Sequence, residues 1–106
     1  MIRYFNTDRY NNWFSEYIKI AVWNKAAIIP GVNPSLRRLD KYGAIIDFYK
    51  FGKTTHCGTG WEIDHIFPIS LGGSDSLENL QPLQWQNNRK KGNNIYENFS
   101  VVRARR

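Results

Sequence analysis

Four polar side chains in the second half of the chain have the chemistry of a hydrolytic site. Asp64 and His65 are adjacent, and Asn79 and Asn88 follow. A carboxylate and an amide oxygen are ligands for a hard metal ion, and a neutral imidazole accepts a proton near neutral pH because its ordinary pKa is about 6.5. These groups suit the hydrolysis of a phosphodiester, which needs an activated water and a cation beside the phosphate. Taken singly they could be a surface carboxylate, a core imidazole and ordinary polar residues, but their joint spacing favours a site.

The segment around these residues resembles the HNH endonucleases of the ββα-metal type. That family's pattern has an Asp-His pair, a nearby Pro, a Gly-Gly turn, Asn-Leu-Gln, and a final His or Asn before Lys-Gly. The matching elements in this chain are Asp64-His65, Pro68, Gly72-Gly73, Asn79-Leu80-Gln81, Asn88 and Lys91-Gly92. Six elements in the right order at the right spacing indicate that residues 61–92 are the ββα-metal core.

The resemblance implies a metal-dependent endonuclease that hydrolyses DNA. His65 would be the general base, and Asp64 and Asn88 would hold one divalent cation. Asn79 would hydrogen-bond across the loop and hold the backbone that carries His65, although an ordinary turn asparagine makes similar bonds. The chain is an HNN variant, because Asn88 stands where the family often has His, and Asn87 is a rival for that position. Two oxygen donors suit a hard hydrated cation, so Mg²⁺ is expected, with Mn²⁺ as the alternative.

Two other functions stay open. One is a noncatalytic DNA-binding HNH module that is an accessory to a larger phage or restriction assembly. The filled catalytic positions argue against it. The other is an RNase, because a site that grips a phosphate does not read the sugar.

A basic run follows the proposed metal ligand on the same predicted helix. Arg89, Lys90 and Lys91 are expected to bind phosphates that flank the cut, and the alternative is a solvated helix face. Glu62 shares a strand face with Asp64. It is either an acceptor for an arginine behind the metal ligand or an exposed strand residue.

The overall charge agrees with a polyanionic partner. The formal net charge is +6 and the isoelectric point is about 9.7, which favours nucleic acid over other partners. Arg103, Arg105 and Arg106 form a basic C-terminal tail, and Arg37-Arg38 is a weaker basic site.

Cys57 is the only cysteine, so the chain has no Cys-x-x-Cys pair and a structural zinc is not expected. A reducing compartment fits best. The chain has no apolar stretch long enough to cross a bilayer, so we expect a cytoplasmic protein. We also expect a monomer or a weak dimer.

The chain is long enough for one small α+β domain spanning residues 1–106. Residues 1–60 would supply a supporting helix and strand, 61–92 the ββα core and 93–106 the basic tail. Within the core, the pattern predicts a strand at 61–65, a return strand at 80–83 and a helix at 84–91 that Gly92 ends.

Apolar spacing upstream predicts an amphipathic helix over residues 8–24. Its stripe of mostly aromatic residues is expected in the core, and base stacking by Trp13 or Tyr17 is the alternative. The stripe consists of Tyr10, Trp13, Phe14, Tyr17, Ile18 and Ala21. Residues 28–34 are predicted to be a turn-rich connection and residues 43–51 a strand.

Overall fold

The computed structural model describes residues 3–95 and 100–104, and these form an α+β fold as predicted. Strands β1, β2 and β3 form one antiparallel sheet, and β4 and β5 form another. The helices are α1 (Glu16–Trp23) and α2 (Trp85–Lys91); the strands are β1 (Ala27–Ile28), β2 (Arg37–Leu39), β3 (Ile45–Asp47), β4 (Trp61–His65) and β5 (Leu80–Gln84). Arg105 and Arg106 of the predicted tail lie outside the described residues.

Strands β4 and β5 and helix α2 form the ββα unit that the motif predicts. The strands pair antiparallel from Trp61 opposite Gln84 to His65 opposite Leu80. Gln84 also caps α2, because its side-chain oxygen accepts hydrogen bonds from the first turn of the helix. Gly92 ends the helix with a φ of +51°. The predicted bounds of the two strands and the helix are correct to within one residue.

The Gly-Gly pair shapes the loop that joins β4 to β5. Gly72 has a φ of +96°, which L side chains rarely adopt. A Cβ on Gly73 would lie 1.8 Å from the carbonyl oxygen of Phe67, and the Gly73 amide donates to the Pro68 carbonyl at 2.9 Å. The loop therefore folds back on itself only with glycine at both positions.

All five residues of β4 are buried. Trp61 and Ile63 belong to the apolar core, whereas Glu62 and Asp64 bind side chains of α2. The predicted alternation is therefore present, but both faces are covered. One face meets apolar side chains and the other meets a polar helix.

The core lies between α1, β3 and the β4–β5 hairpin. Its buried members are Val22, Trp23, Ala26, Ile46, Trp61, Ile63 and Leu80. The ring centroids of Trp23 and Trp61 are 5.2 Å apart, and the Trp23 indole donates to the Pro34 carbonyl at 2.9 Å. Helix α1 is thus held to the ββα unit chiefly by aromatic packing.

The predicted helix at residues 8–24 is wrong in its first half. The Asp8 carboxylate accepts from the backbone amides of Tyr10 and Asn12, and Asn11 has a φ of +63°. These side-chain bonds compete with a helix. Ser15 then caps α1 by accepting from the Ile18 amide at 3.2 Å.

The aromatic stripe is also wrong as a core prediction. Tyr10, Trp13 and Tyr17 are exposed, and only Phe14 and Ile18 pack against the core. A helix would have placed all of these side chains on one face. Because residues 8–15 are turns and extended backbone, Tyr10 and Trp13 do not share a face with the residues of α1. Tyr17 lies in α1 but on its exposed side.

The three-stranded sheet was not predicted as such. Of residues 43–51, only 45–47 form a strand, and a 3₁₀ turn follows. Arg37 and Arg38 lie in β2 and have structural partners: Arg37 binds Asp47 at 2.7 Å, and Arg38 donates to backbone carbonyls including that of Pro34. Strands of two or three residues are too short for their pattern to stand out.

Within the described part of the chain, no helix is both long and apolar enough to span a membrane.

The Arg37–Asp47 pair predicts a pH-dependent stability. The hydrogen bond from Arg37 lowers the pKa of the Asp47 carboxyl below its ordinary value. The pair therefore stabilises the fold at pH values above the pKa of Asp47 in the unfolded chain, which is about 4. This stabilisation is lost as the pH falls through the lower pKa that Asp47 has in the folded protein. We expect Asp47→Asn to lower Tm by a few degrees at pH 7 and by progressively less below pH 4. Circular dichroism melts from pH 7 to pH 2.5 measure this.

The control is Glu16→Gln, which removes an exposed pair with Lys19 and should change Tm less. An Asp47→Asn deficit that stays constant down to pH 2.5 would contradict the assignment.

Candidate active site

A cavity of about 630 Å³ lies between the end of β4, helix α2 and residues near the N-terminus. Asp64, His65 and Asn88 all line it, together with Arg9. The fold therefore brings together three of the four side chains that the spacing singled out. Asp64 and His65 reach the cavity from β4, and Asn88 reaches it from α2.

Asp64 is buried and held by two neighbours. Gln81 of β5 donates its side-chain amide to Oδ2 at 2.8 Å. The Lys91 amine lies 3.1 Å from Oδ2 and also donates to the carbonyl of His65 at 3.1 Å. Burial raises the pKa of the Asp64 carboxyl, and the bonds from Gln81 and Lys91 oppose that rise.

His65 is also buried, and its ring is oriented by a carboxylate. Nε2 lies 2.8 Å from Oδ1 of Asp75, and the ring packs beside Phe14 with the centroids 5.8 Å apart. In the neutral imidazole, a proton on Nε2 leaves Nδ1 as the acceptor. Asp75 thus selects the tautomer in which Nδ1 can take a proton.

Asp75 was not predicted as a site residue. It follows the Gly72-Gly73 turn closely in the sequence, and only the turn was predicted. The available signal was a carboxylate on the loop between the Asp-His pair and Asn79, at a position able to reach back to a histidine. The backbone amide of Arg9 also donates to Asp75, at 3.1 Å.

The two adjacent asparagines of α2 have different surroundings. Asn87 is 0% exposed, and its amide bonds to Asp40 at 3.0 Å and to the backbone of Val102. Asn88 lines the cavity with Asp64. This geometry favours Asn88 over its rival for contact with anything bound in the cavity.

Asn79 bridges the loop after β4. Its side-chain oxygen accepts from the Phe67 amide at 2.8 Å, and its side-chain nitrogen donates to the carbonyls of Phe67 and Ser74. Its own carbonyl accepts from Ile66 at 2.8 Å. Asn79 therefore holds the two residues that directly follow His65.

Residues 53–95 match the family model of the HNH endonucleases. This segment belongs to the HNH endonuclease family. The match includes Asp64, His65, Asp75, Asn79 and Asn88 but not Arg9. The resemblance seen in the motif is confirmed. No curated protein and no solved structure matches the chain. Nucleases of this family act on nucleic acid and generally use a divalent metal.

Glu62 of the HNH domain accepts from an arginine, one of the two alternatives left open for it, and the structure buries it. Arg89 binds it through two nitrogens, at 3.2 and 2.8 Å. The side-chain nitrogen of Asn88 donates to it at 3.0 Å. Because the nitrogen of Asn88 is engaged with Glu62, the amide oxygen is the atom that remains for the cavity.

The three basic residues at 89–91 of the HNH domain do not form one exposed phosphate-binding surface. Lys91 is buried and bound to Asp64, and Arg89 is bound to Glu62 and stacks on the ring of Phe5. Lys90 is exposed. The expectation of a phosphate contact therefore does not fit Lys91. A helix residue three positions after Asn88 projects from the same side of the helix, so Lys91 reaches the Asp64 side of the cavity.

Among residues 3–95 and 100–104, no three His, Cys, Asp or Glu side chains cluster closely enough to hold a metal ion. Asp64 and Asn88 instead offer one carboxylate and one amide oxygen at the same cavity. A carboxylate has about four lone-pair positions, so the bonds to Gln81 and Lys91 leave room for a cation. This donor set fits a cation that keeps part of its hydration shell.

Replacing each of the two asparagines of α2 should have a different effect on stability and on nuclease activity. Asn87→Ala removes buried hydrogen bonds to Asp40 and Val102, so we expect it to lower stability by about 1–3 kcal/mol, or roughly 5–15 °C in Tm. Asn88→Ala should shift Tm much less, because Glu62 keeps its bonds to Arg89, but should abolish nuclease activity. Thermal melts and a plasmid cleavage assay on both variants measure the two effects. Equal loss of stability in both would mean that Asn88 is also structural.

Proposed function

We propose that this protein is a metal-dependent endonuclease that hydrolyses phosphodiester bonds in DNA. The observation that carries the proposal is the convergence of Asp64, His65 and Asn88 on one cavity. The match of residues 53–95 to the HNH endonucleases supports the reaction class. In this proposal His65 is the general base, and Asp64 and Asn88 hold one divalent cation.

The donors at the cavity favour Mg²⁺, with Mn²⁺ as the alternative. Asp64 and Asn88 bind through oxygen, which suits these ions better than Zn²⁺. When bound, the cation would neutralise charge that develops on the phosphate. Gln81 and Lys91 hold the Asp64 carboxylate, and Glu62 holds the amide of Asn88. Both ligands are thus oriented by a second set of side chains.

His65 removes a proton from the attacking water through Nδ1. The water oxygen forms a bond to phosphorus and the bond from phosphorus to the 3′ oxygen breaks. The departing 3′ oxygen takes a proton from solvent, which leaves a 5′-phosphate and a 3′-hydroxyl. Asp75 stabilises the imidazolium that forms, because its carboxylate accepts from Nε2. Asn79 fixes the backbone after His65, so the ring keeps its position during the reaction.

Contacts with phosphates that flank the cut fall to the exposed part of α2. Lys90 is exposed, and the guanidinium of Arg89 retains partial exposure beside Glu62. Lys91 acts on Asp64 instead. We therefore assign phosphate binding to Lys90 and Arg89, and the positioning of the Asp64 carboxylate to Lys91.

Loss of the base should separate catalysis from folding. We expect His65→Ala to keep its fold and its DNA affinity while cleavage of supercoiled plasmid falls by about 10²-fold or more. Cleavage by Asp75→Asn should fall by roughly 10-fold or more, because the amide of asparagine carries no negative charge to stabilise the imidazolium. Glu78→Gln, an exposed acid on the same loop, is the matched control and should cleave normally. A His65→Ala protein as active as the original would refute the assigned base.

Loss of the cation ligands should be as severe. Asp64→Ala and Asn88→Ala are expected to abolish cleavage, and the rates should rank Mg²⁺ or Mn²⁺ above Zn²⁺, because both ligands are oxygen donors. Isothermal titration with Mn²⁺ should show weaker binding in both variants. Parallel incubations with plasmid and with single-stranded RNA distinguish DNase from RNase. Full cleavage in EDTA, without metal carry-over, would contradict the proposal.

A further inference from the structure

The N-terminal segment, defined here as residues 3–13, lies outside the part of the chain that matches the HNH family, yet it forms a wall of the cavity. Side chains and backbone of the segment contact the HNH domain. Asn6 accepts from the Ile63 amide of β4 at 2.7 Å, the Arg9 amide donates to Asp75, and the ring of Phe5 lies 3.7 Å from the guanidinium carbon of Arg89. The segment is therefore a built part of the site.

Arg9 brings an available positive charge to this wall. Its side chain is exposed and lines the cavity. Within the described residues its guanidinium forms no ion pair, and its contact is with the ring of Tyr10, 5.6 Å away. Arg3 also lines the cavity, but its guanidinium donates to the Thr7 carbonyl at 2.8 Å. Arg89 and Lys91, on helix α2, are bound to carboxylates. A guanidinium in this position is suited to a phosphate, which it can bind through two nitrogens.

The same segment carries two stacked aromatic rings, one of which lines the cavity with Arg9. Tyr4 and Trp13 have ring centroids 6.2 Å apart and an interplanar angle of 25°. They are 61% and 71% exposed, and Tyr4 also lines the cavity. Exposed aromatic rings beside a basic group along a groove are the surface on which proteins bind unpaired nucleic acid, because a ring stacks on any base.

We propose that the N-terminal segment binds a single-stranded stretch of the substrate next to the cut, with Arg9 on a backbone phosphate and the Tyr4–Trp13 pair on an unpaired base. This inference rests on the proposed nuclease function and adds a substrate class to it. A base in a duplex has both faces covered by its neighbours, so stacking on the rings requires a strand that is unpaired at that position. The enzyme therefore prefers DNA that is unpaired beside the scissile phosphate.

Binding is measured by fluorescence anisotropy with the full chain carrying His65→Ala, in EDTA, so that no cleavage occurs. The probes are a labelled 12-nucleotide single strand and a blunt duplex of the same sequence. Adding Trp13→Ala should weaken single-strand binding roughly five-fold or more and change duplex binding less than two-fold. Trp13→Tyr should restore most of the affinity, because the ring is retained.

Adding Arg9→Ala should flatten the plot of log affinity against log salt by about 0.7 for the single strand, the slope expected for one lost phosphate contact. The matched controls are Tyr17→Ala, an exposed aromatic on α1, and Lys53→Ala, an exposed cation. Neither residue lines the cavity, so both variants should bind like the parent.

A set of single strands with one abasic position each tests stacking without altering the rings. At one position, the missing base should weaken binding by the parent protein and leave binding by Trp13→Ala unchanged. Equal affinity of the parent for single strand and duplex, with no sensitive abasic position, would overturn the inference. If that result is accompanied by normal plasmid cleavage by the unsubstituted protein, the proposed nuclease function is retained and only the binding of an unpaired strand is rejected. If neither binding nor cleavage occurs, both fail.

Discussion

Strand β4 is buried along its whole length, and its two faces carry opposite chemistry. Trp61 and Ile63 pack into the apolar core, while Glu62 and Asp64 face helix α2. Burying carboxylates is costly unless each has hydrogen-bonding or charged partners. The rest of the ββα unit meets this requirement. The pairing with β5 sets the register, and α2 lies where its polar side chains reach the two acids.

Helix α2 serves several partners within two turns because its successive side chains point in different directions. Asn87 bonds to a buried aspartate away from the cavity, whereas Asn88 faces the cavity. Arg89 and Lys91 each neutralise one acid of β4. The helix is consequently polar on its buried side. The basic residues that look like a nucleic-acid grip in the sequence mostly stabilise the site itself.

The accuracy of sequence-based prediction differed sharply between the two halves of the chain. In the ββα unit the elements are determined by local signals. The Gly72-Gly73 turn, the Gln84 cap and Gly92 each act within a few residues, and the predicted bounds are nearly correct. The helix predicted over residues 8–24 failed because apolar spacing does not register the competing bonds that Asp8 makes to nearby amides.

The motif alone identified residues 61–92 as resembling the HNH endonucleases, and the type and spacing of Asp64, His65 and Asn88 made them the candidate site residues. Only the tertiary structure decided their partners. The Asp75 carboxylate on His65 and the Arg9 side chain on the cavity wall depend on contacts between distant segments. Spacing within one element is set by its own geometry, whereas the approach of two elements is set by how the whole core packs. The local pattern therefore identifies the reactive groups, and the packing decides how each is oriented and what surrounds it.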